Sequence, residues 1–314
     1  MTYTMLHTAN NGSIKLQQRW HQLRQLSQLR QLLTGITVSL GISLSLGLAQ
    51  TASAQQVDLG VAGQFAGFFF GDATASAMDV EGRLAVGGNL SIAAASVGGR
   101  VNPNDTRAAL IVAGNVASFN GGGMGSSTNN SYGIYSGTLG PASKVPAYLD
   151  LRKAAVGPID FEAERTYLSV LSQQLRTAPA TGTVSRLYSD VTLTGSNQDV
   201  EIFNLTADQV KSGYSFILVN VKPTSYLILN LASDAQRTIK FGITMTAMSG
   251  RHDKVLVNMY DAELVNFITV GVFGSILAPY GCVKNSSGHL EGTLIAASWN
   301  ATMEIGNTLF VPSN

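Results

Sequence analysis

From Val57 to Ser118 the chain never sustains an apolar stretch long enough for a buried helix. It moves in short bursts of β-formers closed by glycine: Phe68-Phe69-Phe70-Gly71, Leu84-Ala85-Val86-Gly87-Gly88 and Leu110-Ile111-Val112-Ala113-Gly114. Runs this short build strands, not helices. Two of them align with each other, AVGGNLSI (85–92) and IVAGNVAS (111–118), at an offset of 26 residues; GSILAPYGCV (274–283) and GTLIAASWNA (292–301) align at an offset of 18. Offsets of this size, with small residues at the corners, are what the stacked coils of a β-solenoid produce. Each coil there buries its inward side chains against the coils above and below. The reading is a mainly β chain folded as a β-solenoid. A β-sandwich, which would show tighter turn signals every ~8–12 residues, stands as the alternative.

The period changes once. Pro158 and Asp160 set up a helix start, Glu162 and Glu164 follow in the first turn, and Arg176 closes the last turn before Pro179. Phe161, Leu168, Leu171 and Leu175 fall on one stripe. The pattern predicts a single long helix over 160–176, laid along a flank of the β-structure. From Arg186 onward strand signals resume, and Val191 and Leu193 alternate with Thr192 and Thr194 as in a strand with one wet face. TADQVKSG (206–213) reads as a turn or one helical turn, and the Gly/Ser/Asn-rich 119–140 as an exposed loop.

The first 54 residues belong to a different class of segment. Lys15, Arg19, Arg24 and Arg30 carry the only charges of residues 1–31, Leu32 to Ala49 is uncharged, and Ala52-Ser53-Ala54 forms an A-x-A site. That order describes a secretory signal peptide, 1–54, with a long basic region. The 18-residue apolar stretch could also just span a bilayer of ~30 Å as an uncleaved anchor. Cleavage is the preferred reading, because the site is well formed and glycine and serine interrupt the stretch. It leaves one domain, 55–314, beginning at Gln55, without a transmembrane segment, secreted to the extracellular space and in some settings held at the cell surface. That domain keeps 16 basic against 19 acidic side chains, a formal net of −3.

Composition excludes several functions. Charged residues are 12% of the 314, about half the ~25% of an ordinary globular chain. No Lys/Arg block has the density that nucleic-acid binding needs. The single cysteine, Cys282, forms no intrachain disulfide and no Cys-rich zinc module; it reads as a small hydrophobe. His252 and His289 lack a partner at a ligand spacing, there is no G-x-S-x-G elbow, and no D-x-D-x-D-G calcium loop. Asp79 and Glu81, two apart on one strand, put their carboxylates on one face. Such a pair suits glycoside chemistry but lacks companions, and a polar corner is the better account. Thr244 and Thr246, with Thr192 and Thr194, are too few for an array matched to an ordered surface. The expectation is a non-enzyme with no cofactor and no metal.

Residues 71–99, GDATASAMDVEGRLAVGGNLSIAAASVGG, resemble the choice-of-anchor A family of bacterial extracellular proteins. The likeness runs on through VAGN (112–115) and IDFEAERTYLSVLSQQL (159–175) to GSILAPYGCVKNSSGHLEGTLIAAS (274–298). The resemblance implies an adhesive domain without catalytic residues, some members being labelled collagen-binding. It also marks Asp79, Glu81, Gly82, Gly87, Gly88 and Asn89 as a structural motif. The expected partner is an extracellular protein, collagen-like for instance, or a polysaccharide. Self-association as a matrix protein and a β-helix polysaccharide-active enzyme are the alternatives. The aromatic residues assigned to a binding surface are Tyr132 and Tyr135 in the glycine-rich loop, Tyr280 after Pro279, and Trp299; any of them could instead fill the core, and for Trp299 the core is the slightly better account.

Overall fold

The computed structural model describes residues 57–120, 122–126 and 129–313. The expected signal peptide, 1–54, and the start at Gln55 lie outside the described residues. Those described fall within one compact unit. Among them no helix is long and apolar enough to cross a membrane.

The fold is a β-solenoid of parallel strands with three faces. Along the first face the strands run in the order Leu151–Lys153, Gly133–Tyr135, Leu110–Val112, Leu84–Val86, Gly67–Phe69, Leu294–Asn300, Ser275–Lys284, Val255–Asn258, Tyr226–Ala232 and Val200–Thr206. Neighbours are parallel throughout. The order is not that of the chain. Residues 57–153 build coils outward from the middle, α1 (Phe161–Thr177) carries the chain back, and residues 200–305 build coils inward. The last of these stacks on the first: Leu294, Ile295 and Ala296 pair with Gly67, Phe68 and Phe69.

The aligned sequence pairs are stacked neighbours, as the repeat reading expects. Ala85 lies against Ile111 and Leu90 against Val116, and Ile276 lies against Leu294. The second pair departs from its sequence alignment after Ala278. There the register slips by two residues, so that Cys282 faces Ser298. Pro279 and Tyr280 occupy the slip, at the corner between the first and second faces.

Helix α1 forms where the pattern places it. Asp160 caps it by accepting from the Ala163 N–H at 3.0 Å. Its buried stripe, Phe161, Leu168, Leu171 and Leu175, packs on the outward side chains of the first face, among them Phe68, Ala85, Ile228, Leu256 and Ile295. This gives two apolar cores, one inside the coils and one between helix and sheet. A buried polar seam fixes the helix position. Ser172 donates to Asn258 Oδ1 at 2.6 Å, Asn258 Nδ2 donates to Asn230 Oδ1 at 2.9 Å, and Asn230 Nδ2 donates to the Leu175 carbonyl at 2.8 Å.

The segment 119–140 is not one open loop. It holds the strands Gly125–Ser126, Asn129–Asn130 and Gly133–Tyr135, because Gly133–Tyr135 completes another rung of the first face beside Leu110–Val112. The stretch after Thr206 forms α2 (Ala207–Ser212), started by a capping box in which Gln209 accepts from the Thr206 N–H at 2.8 Å. Val191 and Leu193 are buried, and Thr192 and Thr194 half-buried, on a strand of a separate three-stranded sheet.

Candidate binding face

The corners between the first and second faces explain the Gly-Gly-Asn motif. Asn89 N–H and Nδ2 both donate to Asp72 Oδ1, at 2.7 and 3.1 Å. Asn115 N–H donates to Asn89 Oδ1 at 3.0 Å, and Thr138 N–H to Asn115 Oδ1 at 2.8 Å. Each polar side chain thus satisfies the backbone of the coil stacked on it. Gly88 and Gly114 precede two of these residues because the coils touch there: a Cβ on Gly88 would lie 2.7 Å from the Asp72 nitrogen, and one on Gly114 2.5 Å from the Gly88 carbonyl oxygen. Close approach, not a left-handed backbone, is what requires glycine at these positions. Gly87 is likewise closed in by the Phe70 carbonyl oxygen, and Gly82 by Ala66 and Asn307.

Asp79 and Glu81 do share a face, the third, and both are engaged. Asp79 accepts from Ser96, and Glu81 pairs with Arg100. Arg100 also reaches Glu291 at 2.7 Å. Glu291 accepts further from Thr308 at 2.8 Å and contacts His289 Nε2 at 3.1 Å, while His289 Nδ1 lies 3.2 Å from Glu304. Burial pushes the Glu291 carboxyl up, but the hydrogen bonds from Arg100, Thr308 and His289 outweigh it and hold its pKa at about 2. The hydrogen bonds that Arg100 donates to Glu291 and Glu81 raise it above the usual arginine value. A shallow depression of about 330 Å³ beside this network is lined by Asp79, Ser96, Thr302 and Glu304, with alanines around them. Among the described residues no group of three His, Cys, Asp or Glu side chains could hold a metal.

The aromatic residues expected at a binding surface are scattered. Trp299 is a correction: it is 1% exposed and stacked on Phe69, since its place on the second face points it into the coil. Tyr132 and Tyr135 are half-buried and do not stand on an open loop. Tyr132 lies beneath the Arg152 guanidinium, whose central carbon is 3.8 Å from the ring centroid, and packs on the helix-side core. Tyr135 ends a strand and packs on the inner core. Tyr280 is exposed at the register slip. The four do not come together in one site.

What the structure does bring together is the second face. Seven parallel strand segments lie side by side, Thr238–Phe241, Leu264–Phe267, the ends of Ser275–Lys284 and Leu294–Asn300, Ala73–Ala75, Leu90–Ile92 and Val116–Phe119. At ~4.8 Å per strand they extend roughly 29 Å. Ile239, Val265, Val283, Trp299, Leu90 and Val116 point inward. The alternate positions form one outward row: Lys240, Asn266, Lys284, Asn300, Thr74, Ser91 and Ser118. All seven are exposed or half-buried. Ser91 and Ser118 meet at 3.2 Å, and Asn266 Nδ2 is tied to the Lys284 and Asn285 carbonyls at 2.9 Å. No bulky side chain interrupts this row. In the sequence its only trace is the alternation in TIKF, LVNF and CVKN. The row joins residues from the two halves of the chain, so no local pattern reveals it.

Entry to and exit from the described domain lie elsewhere. Val57 N–H donates to Ser313 Oγ at 2.8 Å, and Ser313 N–H to the Val57 carbonyl at 3.2 Å. Val57 and Phe310 belong to the helix-side core. Both ends therefore leave beside the helix-covered first face, and nothing of the described chain covers the second.

The sequence matches, over residues 58–307, the family model described as "Putative Ice-binding-like adhesive domain". Three solved structures are similar. An ice-binding protein from the Antarctic ascomycete Antarctomyces psychrotrophicus is 14% identical, with 82% of this chain and 99% of that chain covered and a TM-score of 0.33. An ice binding protein from an Antarctic biological consortium is 15% identical, with 84% and 95% covered and a TM-score of 0.34. The DUF3494 domain of ice-binding protein 1 from Shewanella frigidimarina is 17% identical, with 79% and 95% covered and a TM-score of 0.34. Among curated proteins, none matches this chain.

Proposed function

The chain belongs to the ice-binding-like adhesive domain family, and from that premise we propose that it is an extracellular, non-catalytic adhesion module that holds an extended polymer against its second face. The observation that carries the reading is the row from Lys240 to Ser118. Seven strands in register offer polar groups at one spacing over a flat area, and such a surface suits a long repetitive ligand better than a small molecule, which wants a concave pocket. The ligand is a polysaccharide or a collagen-like protein. Export by cleavage after Ala54, a single domain over 55–314, and the narrower likeness to choice-of-anchor A proteins belong to the same reading. With both ends of the described domain beside the first face, attachment through either leaves the second face free.

The carboxylates of the third face support the non-catalytic part of the reading, since Asp79, Glu81 and Glu291 are already engaged in hydrogen bonds and ion pairs. A working acid and base would need to be free to exchange protons with a substrate.

The test is obstruction. Asn300→Tyr raises a ring from the middle of the row and Ser91→Tyr one from nearer its Ser118 end. Attachment of the purified protein to collagen, polygalacturonate, cellulose and single ice crystals is measured beside wild type, with circular dichroism to check the fold. Loss of attachment by about tenfold, ~1.4 kcal/mol, in folded variants is the expected result. Wild-type attachment in both variants removes the second face as the site.

A further inference from the structure

We propose that the Lys240 end of the second face selects an anionic polysaccharide, one that carries negative groups at intervals along a hydroxylated chain. This rests on the second face being the binding surface and goes on to name the ligand class. Lys240 and Lys284 sit on strands two apart with Asn266 between them in register, so their backbones are about 10 Å apart. Helix α2 continues the face beyond Lys240: the Gly242 N–H donates to the Val210 carbonyl at 3.1 Å, which brings exposed Lys211 to the same end.

These lysines are three of the ten Lys and Arg side chains of the described residues that have no carboxylate at salt-bridge distance, and they share one end of one face. Arg100, Arg107, Arg152, Arg186, Lys222 and Arg237 are each paired with a carboxylate of the domain. Among the described residues, no carboxylate lies within salt-bridge distance of Lys211, Lys240 or Lys284. A domain whose formal net charge over 55–314 is −3 thus presents unpaired positive charge along one end of its second face. The neighbours are neutral hydrogen-bonding groups, Asn266, Asn300, Thr74 and Ser91, which match sugar hydroxyls. Lysine spaced by asparagine over about one disaccharide length complements a polymer whose anionic groups recur within each disaccharide, as the carboxylates of polygalacturonate do on every sugar. The charges steer the chain onto the face and the amides hold its hydroxyls.

The experiment compares binding of the full-length protein to polygalacturonate, dextran sulfate and neutral dextran at low and high salt. The variants are Lys240→Ala/Lys284→Ala and, as a control at the far end of the first face, Lys153→Ala. The expected result is binding to polygalacturonate in preference to dextran, weakened about tenfold or more both by salt and by the double variant, and unchanged in Lys153→Ala. Dextran sulfate bound in place of polygalacturonate, with the same dependence on the two lysines, keeps the polyanion and identifies its group as sulfate. Equal binding of neutral dextran, or a folded double variant that binds as wild type does, overturns the proposal. If the double variant is without effect while Ser91→Tyr and Asn300→Tyr block attachment, the face stands and the anionic ligand falls. If none of the variants has an effect, both readings fall together.

Discussion

The Trp299 indole stacks on the Phe69 ring with centroids 5.4 Å apart and planes at 18°, across the junction where the last coil of the chain meets its first. The two residues are 230 positions apart in sequence. Their contact adds a side-chain stack to the backbone ladder that joins the two half-solenoids, Gly67–Phe69 beside Leu294–Ala296. Phe69 and Trp299 are both buried in the inner core, and the adjoining backbone is tied by the Trp299 N–H to the Asp72 carbonyl at 3.0 Å.

Trp299→Ala therefore opens a cavity at the junction of the two halves. The expected cost is about 3–5 kcal/mol, the range for deleting a large buried aromatic, read from urea unfolding. In a chain starting at Gln55 this is the sole tryptophan, so blue-shifted emission that moves to the red on unfolding reports the junction directly. Emission at the wavelength of free indole in the native protein would contradict the burial.

Gly88→Val places a branched side chain where the coils touch, 2.7 Å from backbone atoms of Gly71 and Asp72. Backbone cannot yield as a flexible side chain does, and overpacking of this kind costs ~1–3 kcal/mol or more. The yield of folded protein and its melting temperature fall, while any folded fraction binds as wild type does. A Gly88→Val protein with wild-type stability would show that the corner has room.

The Glu291 carboxyl, held at about 2 against an ordinary value of 4.5, makes stability depend on acid. Its folded pKa is depressed, so the unfolded chain takes up the proton first as pH falls. The network on the third face contributes fully above about pH 4.5, and its contribution is lost as the pH falls from there to about 2. Glu291→Gln flattens this part of the stability–pH curve and lowers stability at pH 7. A variant curve parallel to wild type between pH 5 and 2 would show that the network carries no such linkage.

Local patterns decided much of this protein. Short glycine-closed strands, the offsets of 26 and 18 residues and the single stripe of Phe161, Leu168, Leu171 and Leu175 already specify coils and one flanking helix. Periodicity and corner sterics act over a few residues, and they read the same in any context. Tertiary structure alone decided the order of the coils, since whether Leu294 lies beside Gly67 depends on two complementary coil ends meeting after α1 has carried the chain back. The same closure turned Trp299 inward. A two-residue register slip left Tyr280 at a corner. The row from Lys240 to Ser118 exists only once both halves are stacked, because three of its side chains come from strands before α1 and four from strands after it.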